Sequence, residues 1–157
     1  MKKTILILLL AGLGLCAAAQ PRAIGLRGLY GLEFSYQHML DDPHFMEVDL
    51  GFDLVGRHGF RATATYNIVV GEPDWTSVGE WSLYIGPGAS IGFVDQRDNQ
   101  NMMVAAVLQF GLEYSPTEHI GISADLRPMF GYHFSDRFYA DGLLYGFLPT
   151  LGVRFKF

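Results

Sequence analysis

Two groups of side chains in this sequence have the residue types that catalytic or metal sites use. The first is His133 with Ser135, which share one face of any strand because alternate residues point the same way. A histidine beside a serine can activate the hydroxyl as a nucleophile, and Asp136 or Asp141 could orient the imidazole. The alternation of residues 120–132, continued to this point, turns both side chains away from the apolar face. We therefore expect a polar loop edge here rather than a hydrolase.

The second group is three carboxylates, Glu47, Asp49 and Asp53, on the polar face of one predicted strand. Carboxylate clusters bind hard cations such as calcium, but calcium sites draw several close oxygens from a compact turn. Ion pairing is the alternative, because buried charges need partners. Five cations are available on the polar faces of other predicted strands: Arg27, Arg61, Arg127, Arg154 and Lys156. The sequence favours structural ion pairs over a metal site.

No cofactor motif is found among the remaining residues. Four histidines lie at predicted turns without metal-ligand spacing: His38, His44, His58 and His119. Three glycines of one predicted strand do not form a glycine-rich dinucleotide-binding motif, because the spacing to the third glycine differs and no helix follows: Gly86, Gly88 and Gly92. Trp75 and Trp81 bracket a loop, as indoles at a membrane interface do. We predict no catalytic residue, no cofactor and no metal, and thus no enzyme.

The elements that position these residues are strands, because apolar and polar residues alternate along most of the chain. Seven such runs are visible, at residues 23–37, 46–54, 60–68, 81–93, 106–114, 120–126 and in a closing strand that ends at Phe157. A bacterial membrane barrel has an even number of strands, so one hairpin is hidden. It could turn near residues 30–31, at residues 86–88 or within 137–157. The unbroken alternation argues against the second place.

The apolar face of each run is continuous and rich in Leu, Ile, Phe and Tyr, which suits a lipid-facing band. The polar face carries charges of both signs and many glycines, which suits a narrow interior filled by side chains. A soluble sandwich or lipocalin-like barrel would show the same period of two. We nevertheless predict an all-β fold, a transmembrane up-and-down antiparallel β-barrel of eight strands.

Residues 1–19 have the features of a secretory signal peptide. Lys2 and Lys3 precede an apolar run that is too short to span a membrane, and an alanine cleavage site ends at Ala19. Cys16 raises a lipoprotein alternative, but Leu15 occupies the place where that signal needs a small residue. We predict a barrel domain at residues 20–157 with no cysteine, and therefore no disulfide.

The charge of the chain makes a nucleic-acid partner improbable. It has 11 basic and 16 acidic residues, and loss of residues 1–19 makes the balance about −7. After the predicted signal, no apolar run approaches the ~20 residues of a membrane helix. If the chain enters a membrane, it does so as strands.

Several short patches carry resemblances to known families. The alternation of Val153, Phe155 and the terminal Phe157 resembles the C-terminal assembly signal of bacterial outer-membrane barrels. The Ile85–Gly86–Pro87 strand, the segment 111–114, the Ser-Pro-Thr-Glu turn at 115–118 and the closing strand together resemble outer-membrane proteins of the outer-membrane protein X type. The alanine site followed by Gln20 is similar to exported proteins of the Bacteroidetes.

A further resemblance concerns His133 and Ser135, which are similar to the His-x-Ser element of the outer-membrane lipid A deacylase family. That family has asparagine where this chain has Asp136, and a later glutamate where this chain has none. The departures favour a non-enzymatic barrel.

Together these resemblances imply a monomeric protein of the outer membrane, in contact with its lipid. They also imply recognition by the barrel assembly machinery through Phe157. The expected role is structural, in envelope integrity or surface interaction, without a general pore. The alternatives are a lipid-modifying hydrolase and a soluble periplasmic ligand-binding barrel.

Overall fold

In a computed structural model of the protein, the described residues are 22–28, 31–41, 43–53, 58–96, 99–134, 137–140 and 149–157. They form ten antiparallel strands: β1 (Arg22–Gly28), β2 (Gly31–Asp41), β3 (His44–Asp53), β4 (His58–Gly71), β5 (Glu80–Gln96), β6 (Asn99–Thr117), β7 (Ile120–Leu126), β8 (Met129–His133), β9 (Arg137–Ala140) and β10 (Thr150–Lys156). No helix in these ranges is long and apolar enough to cross a membrane. The predicted signal peptide lies outside the described residues.

The ten strands form one closed wall with eight strand positions, because two of these positions each contain two short strands in succession. Strands β1 to β6 follow one another as antiparallel neighbours. Strands β7 and β8 both pair with β6 and share the seventh position. Strands β9 and β10 share the eighth, where β9 pairs with β8, and β10 pairs with β7 and β1. The prediction of an eight-stranded, up-and-down, closed antiparallel barrel is therefore confirmed.

Pro128 explains why the seventh strand is interrupted. Proline has no N–H to give to a ladder, so the regular pairing stops between β7 and β8. Its carbonyl still accepts a hydrogen bond from the backbone N–H of Leu108, at 3.1 Å. The wall therefore remains joined to β6 across the interruption.

The hidden hairpin lies in the first alternating run, between β1 and β2. Gly28 is the register partner of Leu32, so three residues separate the last pair and the inward and outward alternation continues without a break. This spacing explains why the sequence shows a single run. The alternative turn at residues 86–88 is wrong, because β5 runs unbroken through them and pairs with β6 along its whole length.

The polarity of the two faces is the reverse of that in a soluble protein: the outer face is apolar and the inner face is polar. Leu26 and Val153 point outward and are 56% and 58% exposed, whereas Arg27 and Arg154 point inward and are 1% exposed. Soluble proteins almost never bury arginine in this way unless it is paired. The predicted assignment of the two faces is confirmed in the described strands.

The first and last strands close the wall at its seam. The backbone N–H of Arg22 donates to the carbonyl of Phe157 at 3.0 Å, and the N–H of Phe157 donates back to Arg22 at 2.8 Å. The N–H of Lys156 donates to the carbonyl of His119 at 2.8 Å on the other side. The terminal strand is therefore held on both edges. Phe155 and Phe157 stack on the outer face, with ring centroids 6.4 Å apart.

Candidate functional site

A single buried carboxylate, Glu47 of β3, lies at the centre of the polar interior. Its Oε1 accepts hydrogen bonds from Arg27 at 2.6 Å, Arg154 at 2.8 Å and Arg127 at 3.2 Å. Ser35 of β2 also donates to this oxygen, at 2.9 Å. Glu47 is completely buried. One carboxylate thus joins three guanidinium groups from three different positions of the wall.

Asp125 of β7 is a second acceptor beside this centre. It is bound by Nη2 of Arg27, so this guanidinium bridges Asp125 and Glu47. The hydroxyl of Tyr84 also donates to Asp125, and Nε2 of Gln109 donates to it at 3.0 Å. Charge-assisted hydrogen bonds of this kind are stronger than neutral ones. Asp125 therefore ties side chains of β1, β5 and β6 together.

Two outer groups extend the network toward the ends of the barrel. Glu33 accepts from Arg127 at 3.1 Å and from Arg61 at 3.0 Å. Arg127 also binds Asp49. At the opposite end, Glu113 is bound by Arg154 at 2.7 Å and by Lys156 at 2.6 Å. The ion pairs therefore form one connected set through the barrel.

The ionic network is balanced in charge. Among the described residues its ion pairs join five cations, Arg27, Arg61, Arg127, Arg154 and Lys156, to five carboxylates, Glu33, Glu47, Asp49, Glu113 and Asp125. Desolvated charges are costly unless each has a partner, and balance removes the net charge from the interior. Because the partners come from seven of the eight wall positions, this arrangement can hold strands together. We name it the lumen network.

Tyr84 reaches this network because Gly111 lies opposite it. The two residues are register partners on β5 and β6, and a Cβ at position 111 would stand 2.1 Å from the Tyr84 ring. The aromatic side chain therefore covers the glycine, as aromatic residues do in other sheets. Only glycine leaves space for this ring position.

We expect Gly111→Ala to lower the free energy of unfolding by about 1–3 kcal/mol, because the added methyl overpacks the ring and displaces Tyr84 from Asp125. Gly71→Ala is the matched control. A Cβ there would have only ordinary contact, 3.9 Å from Leu83. Urea unfolding of both variants in detergent or lipid measures the difference. Equal stabilities of the two variants would contradict the packing argument.

No protein-family model and no curated protein sequence matches the chain. Among solved structures, the N-terminal β-barrel domain of OprF from Pseudomonas aeruginosa matches with a TM-score of 0.61 and 20% identity, covering 88% of this chain and 96% of that one. The two chains share a fold. Neisserial surface protein A (NspA) also matches, with a TM-score of 0.46 and 13% identity over 88% and 94% of the two chains.

These matches concern architecture. The fold shared with the OprF domain agrees with the predicted barrel, which the register of the strands shows independently. Neither match is to a protein of the outer-membrane protein X type, and neither comes with an origin in the Bacteroidetes, so both resemblances stay predictions.

The predicted pairing of the β3 carboxylates is confirmed for Glu47 and Asp49, which bind arginines inside the barrel. The side chain of Asp53 lies outside the described residues. Arg61 and Lys156 also join the network, through Glu33 and Glu113. Within the described ranges, no group of three or more His, Cys, Asp or Glu residues is arranged to hold a metal ion.

The candidate nucleophile pair, His133 and Ser135, lies largely outside the described residues. The backbone of His133 belongs to β8, where it is the register partner of Met103 and Arg137. Ser135, Asp136 and Asp141 lie outside the described residues, as does the His133 side chain. The absence of hydrolase activity therefore stays a prediction.

Four inward residues that bind charged groups of the interior were not singled out in the sequence: Glu33, Tyr84, Gln109 and Glu113. Their inward direction follows from the period of two. Their partners depend on the height of each residue in the barrel, which the stagger between strands sets. Tyr84 had one signal of its own, as an aromatic residue in a row of glycines and serines.

Proposed function

We propose that this chain is an integral protein of a bacterial outer membrane, with the barrel spanning the lipid bilayer. The observation that carries the proposal is the inverted polarity of a closed wall. Apolar side chains cover the outside in every position, while charged and hydrogen-bonded groups fill the inside. A closed barrel satisfies every backbone group within the wall, as a strand protein in lipid requires. Both chain ends then lie on the periplasmic side.

The interior supports a structural role rather than a general pore. An eight-stranded barrel is just wide enough for side chains to fill it. The lumen network does so here, with Arg27, Glu47 and Arg154 almost completely buried. We therefore propose a role in envelope integrity or surface interaction. We further propose that the chain is not an enzyme.

The proposed partners are the outer-membrane lipid and the barrel assembly machinery. Phe157 is exposed on the outer face beside Phe155, where an assembly factor could bind the terminal strand. A balanced interior and a continuous apolar exterior leave a complete barrel in one chain. We propose that the protein functions as a monomer.

The experiment that tests the proposal is gel mobility of the membrane fraction, loaded with and without boiling. A closed barrel has no free edge, so it should resist detergent until it is heated. We expect a change in apparent mass on boiling and fractionation with the outer membrane. Protein that is soluble without detergent and shows no shift would contradict the proposal and favour the soluble periplasmic barrel.

A further inference from the structure

The described residues leave the barrel open at the end where Arg22 and Phe157 pair. A cavity of about 480 Å³ lies there, inside the mouth. Phe45 lines this cavity and packs edge-on against Tyr84, with ring centroids 5.2 Å apart. Tyr84 in turn bonds Asp125 of the lumen network. The cavity, which we name the vestibule, is therefore closed at its inner end.

The walls of the vestibule are partly apolar: polar side chains such as Gln37 and Ser82 line it together with four apolar residues. Ala23, Met39, Phe45 and Val69 all follow the inward phase of their strands and line the vestibule. Met39 and Val69 are only half-buried. Leaving apolar surface in a water-filled cavity is unfavourable. This part of the interior is shaped to receive something apolar.

The opposite end of the barrel shows the contrast. It also has inward apolar residues, but these pack closely and are at most 4% exposed: Met103, Ala105, Val107 and Met129. At that end the described apolar residues are therefore packed against one another, whereas Met39 and Val69 of the vestibule keep exposed apolar surface.

The rim of the vestibule has an excess of negative charge. Its lining includes Glu72, Asp74 and Glu80 around the β4–β5 loop, and Glu113 from β6. The cations that line it are Arg22 and Lys156, and Lys156 is engaged by Glu113 and by Ser115 at 2.6 Å. The remaining carboxylates face the mouth. A cationic group entering the vestibule would be attracted, and an anionic group repelled.

Aromatic rings add a second preference for cations. Trp81 lines the vestibule and stacks on Tyr114, with centroids 4.5 Å apart, while Trp75 lies 5.3 Å from Trp81. The loop is fixed in place: Nε1 of Trp81 donates to Thr76 at 3.0 Å, and Tyr114 donates to the carbonyl of Val78 at 3.2 Å. Aromatic faces attract organic cations. This binding chemistry is held in a fixed geometry.

We propose that the vestibule binds a small organic cation with an apolar body, such as a primary alkylamine that carries an aromatic ring. The apolar body lies against Met39, Phe45 and Val69. The ammonium group lies at the rim, beside the carboxylates and Trp81. The volume falls within the range of small-molecule sites, roughly 300–1,000 Å³.

The two tryptophans of the sequence make the test specific. Trp81 lines the vestibule and the ring of Trp75 lies 5.3 Å from it, so the intrinsic tryptophan fluorescence of the folded protein reports on the rim. The probes are 2-phenylethylamine and 3-phenylpropionate, which share an aromatic body and differ in charge. In a neutral detergent at pH 7, we expect a saturable change with the amine and none with the acid. Equal responses, or a response to the amine that never saturates, would overturn the proposal.

Charge-removing variants distinguish the effect of the rim carboxylates on amine binding from the effect of the protein's overall negative charge. Glu72→Gln combined with Asp74→Asn should weaken amine binding on the order of three- to ten-fold, because two exposed charge contacts are lost. Glu118→Gln is the matched control, since Glu118 is exposed at the β6–β7 turn and does not line the vestibule. It should leave the affinity unchanged. Equal weakening by the control and the double variant would overturn the proposal.

A filling variant tests the apolar wall. Val69→Phe should reduce amine binding at least ten-fold while the boiled and unboiled gel mobilities stay as in the original chain. Unchanged affinity in a folded Val69→Phe protein would overturn the proposal. The rim variants are exposed and test it independently should this protein fail to fold. The binding assay does not depend on the membrane role, because a water-soluble barrel that bound the amine would contradict only the proposed function.

Discussion

Glu47→Ala is expected to lower the free energy of unfolding by about 3–5 kcal/mol, the range found when one member of a buried ion pair is removed. Glu47 accepts from Arg27, Arg127 and Arg154, and all three guanidinium groups would lose an acceptor in a dry interior. Each arginine keeps one other acceptor, Asp125 for Arg27, Asp49 for Arg127 and Glu113 for Arg154, but five cations then face only four carboxylates. The uncompensated charge, more than the lost attraction, determines the cost.

The measurement is equilibrium urea unfolding in lipid vesicles, followed by tryptophan fluorescence. Glu118→Ala is the control, because it removes an exposed carboxylate and should change stability by less than about 0.5 kcal/mol. If Glu47→Ala also cost less than about 1 kcal/mol, the lumen network would not be holding the wall together. The interior would then be hydrated enough to solvate the stranded arginines.

Val153→Arg is expected to destabilise the barrel by about 2–4 kcal/mol in a bilayer, if the outer face meets lipid at its midplane. Val153 is at the centre of β10, is 58% exposed and lies between Leu26 and Ile122 in the register. In water, the same change at an exposed position would be nearly neutral. The substitution therefore reports which medium surrounds the wall.

Ser77→Arg provides the comparison for this second prediction. Ser77 is exposed on the β4–β5 loop, outside the strands, so an arginine there should cost less than about 0.5 kcal/mol. Both variants are unfolded in urea from lipid vesicles. Similar costs for the two changes would mean that the apolar exterior does not face hydrocarbon.

The sequence alone predicted which side chains of each strand point into the barrel. It did not predict how far along the barrel axis each of them lies. Alternation identified Arg27, Glu47 and Arg154 as inward because each strand is long enough to show a period of two. Alternation says nothing about stagger, so it could not indicate that Arg127 and Asp49, far apart in the sequence, lie at one level. Pairing inside a barrel is a property of the register.

The hairpin that the sequence concealed between β1 and β2 has a similar cause. The turn between β1 and β2 preserves the alternation, because the register partners Gly28 and Leu32 are four positions apart. A period-of-two pattern passes through such a turn unchanged. Pro128 in the sequence could have indicated a break in a strand, because proline cannot donate a hydrogen bond to the ladder. Only the structure shows that β7 and β8, on either side of it, lie in the same wall position.

The seam between β1 and β10 also governs how the barrel folds. It pairs Ala23 with Lys156 and Gly28 with Leu151, residues from opposite ends of the sequence. Closing such a long loop costs chain entropy that is regained only when the last ladder forms. Until then the wall is an open sheet, and its outermost strands offer unpaired backbone to neighbouring chains. The interval before closure is thus the period when this chain is most prone to aggregate, and it ends only after the final seven-residue strand has docked.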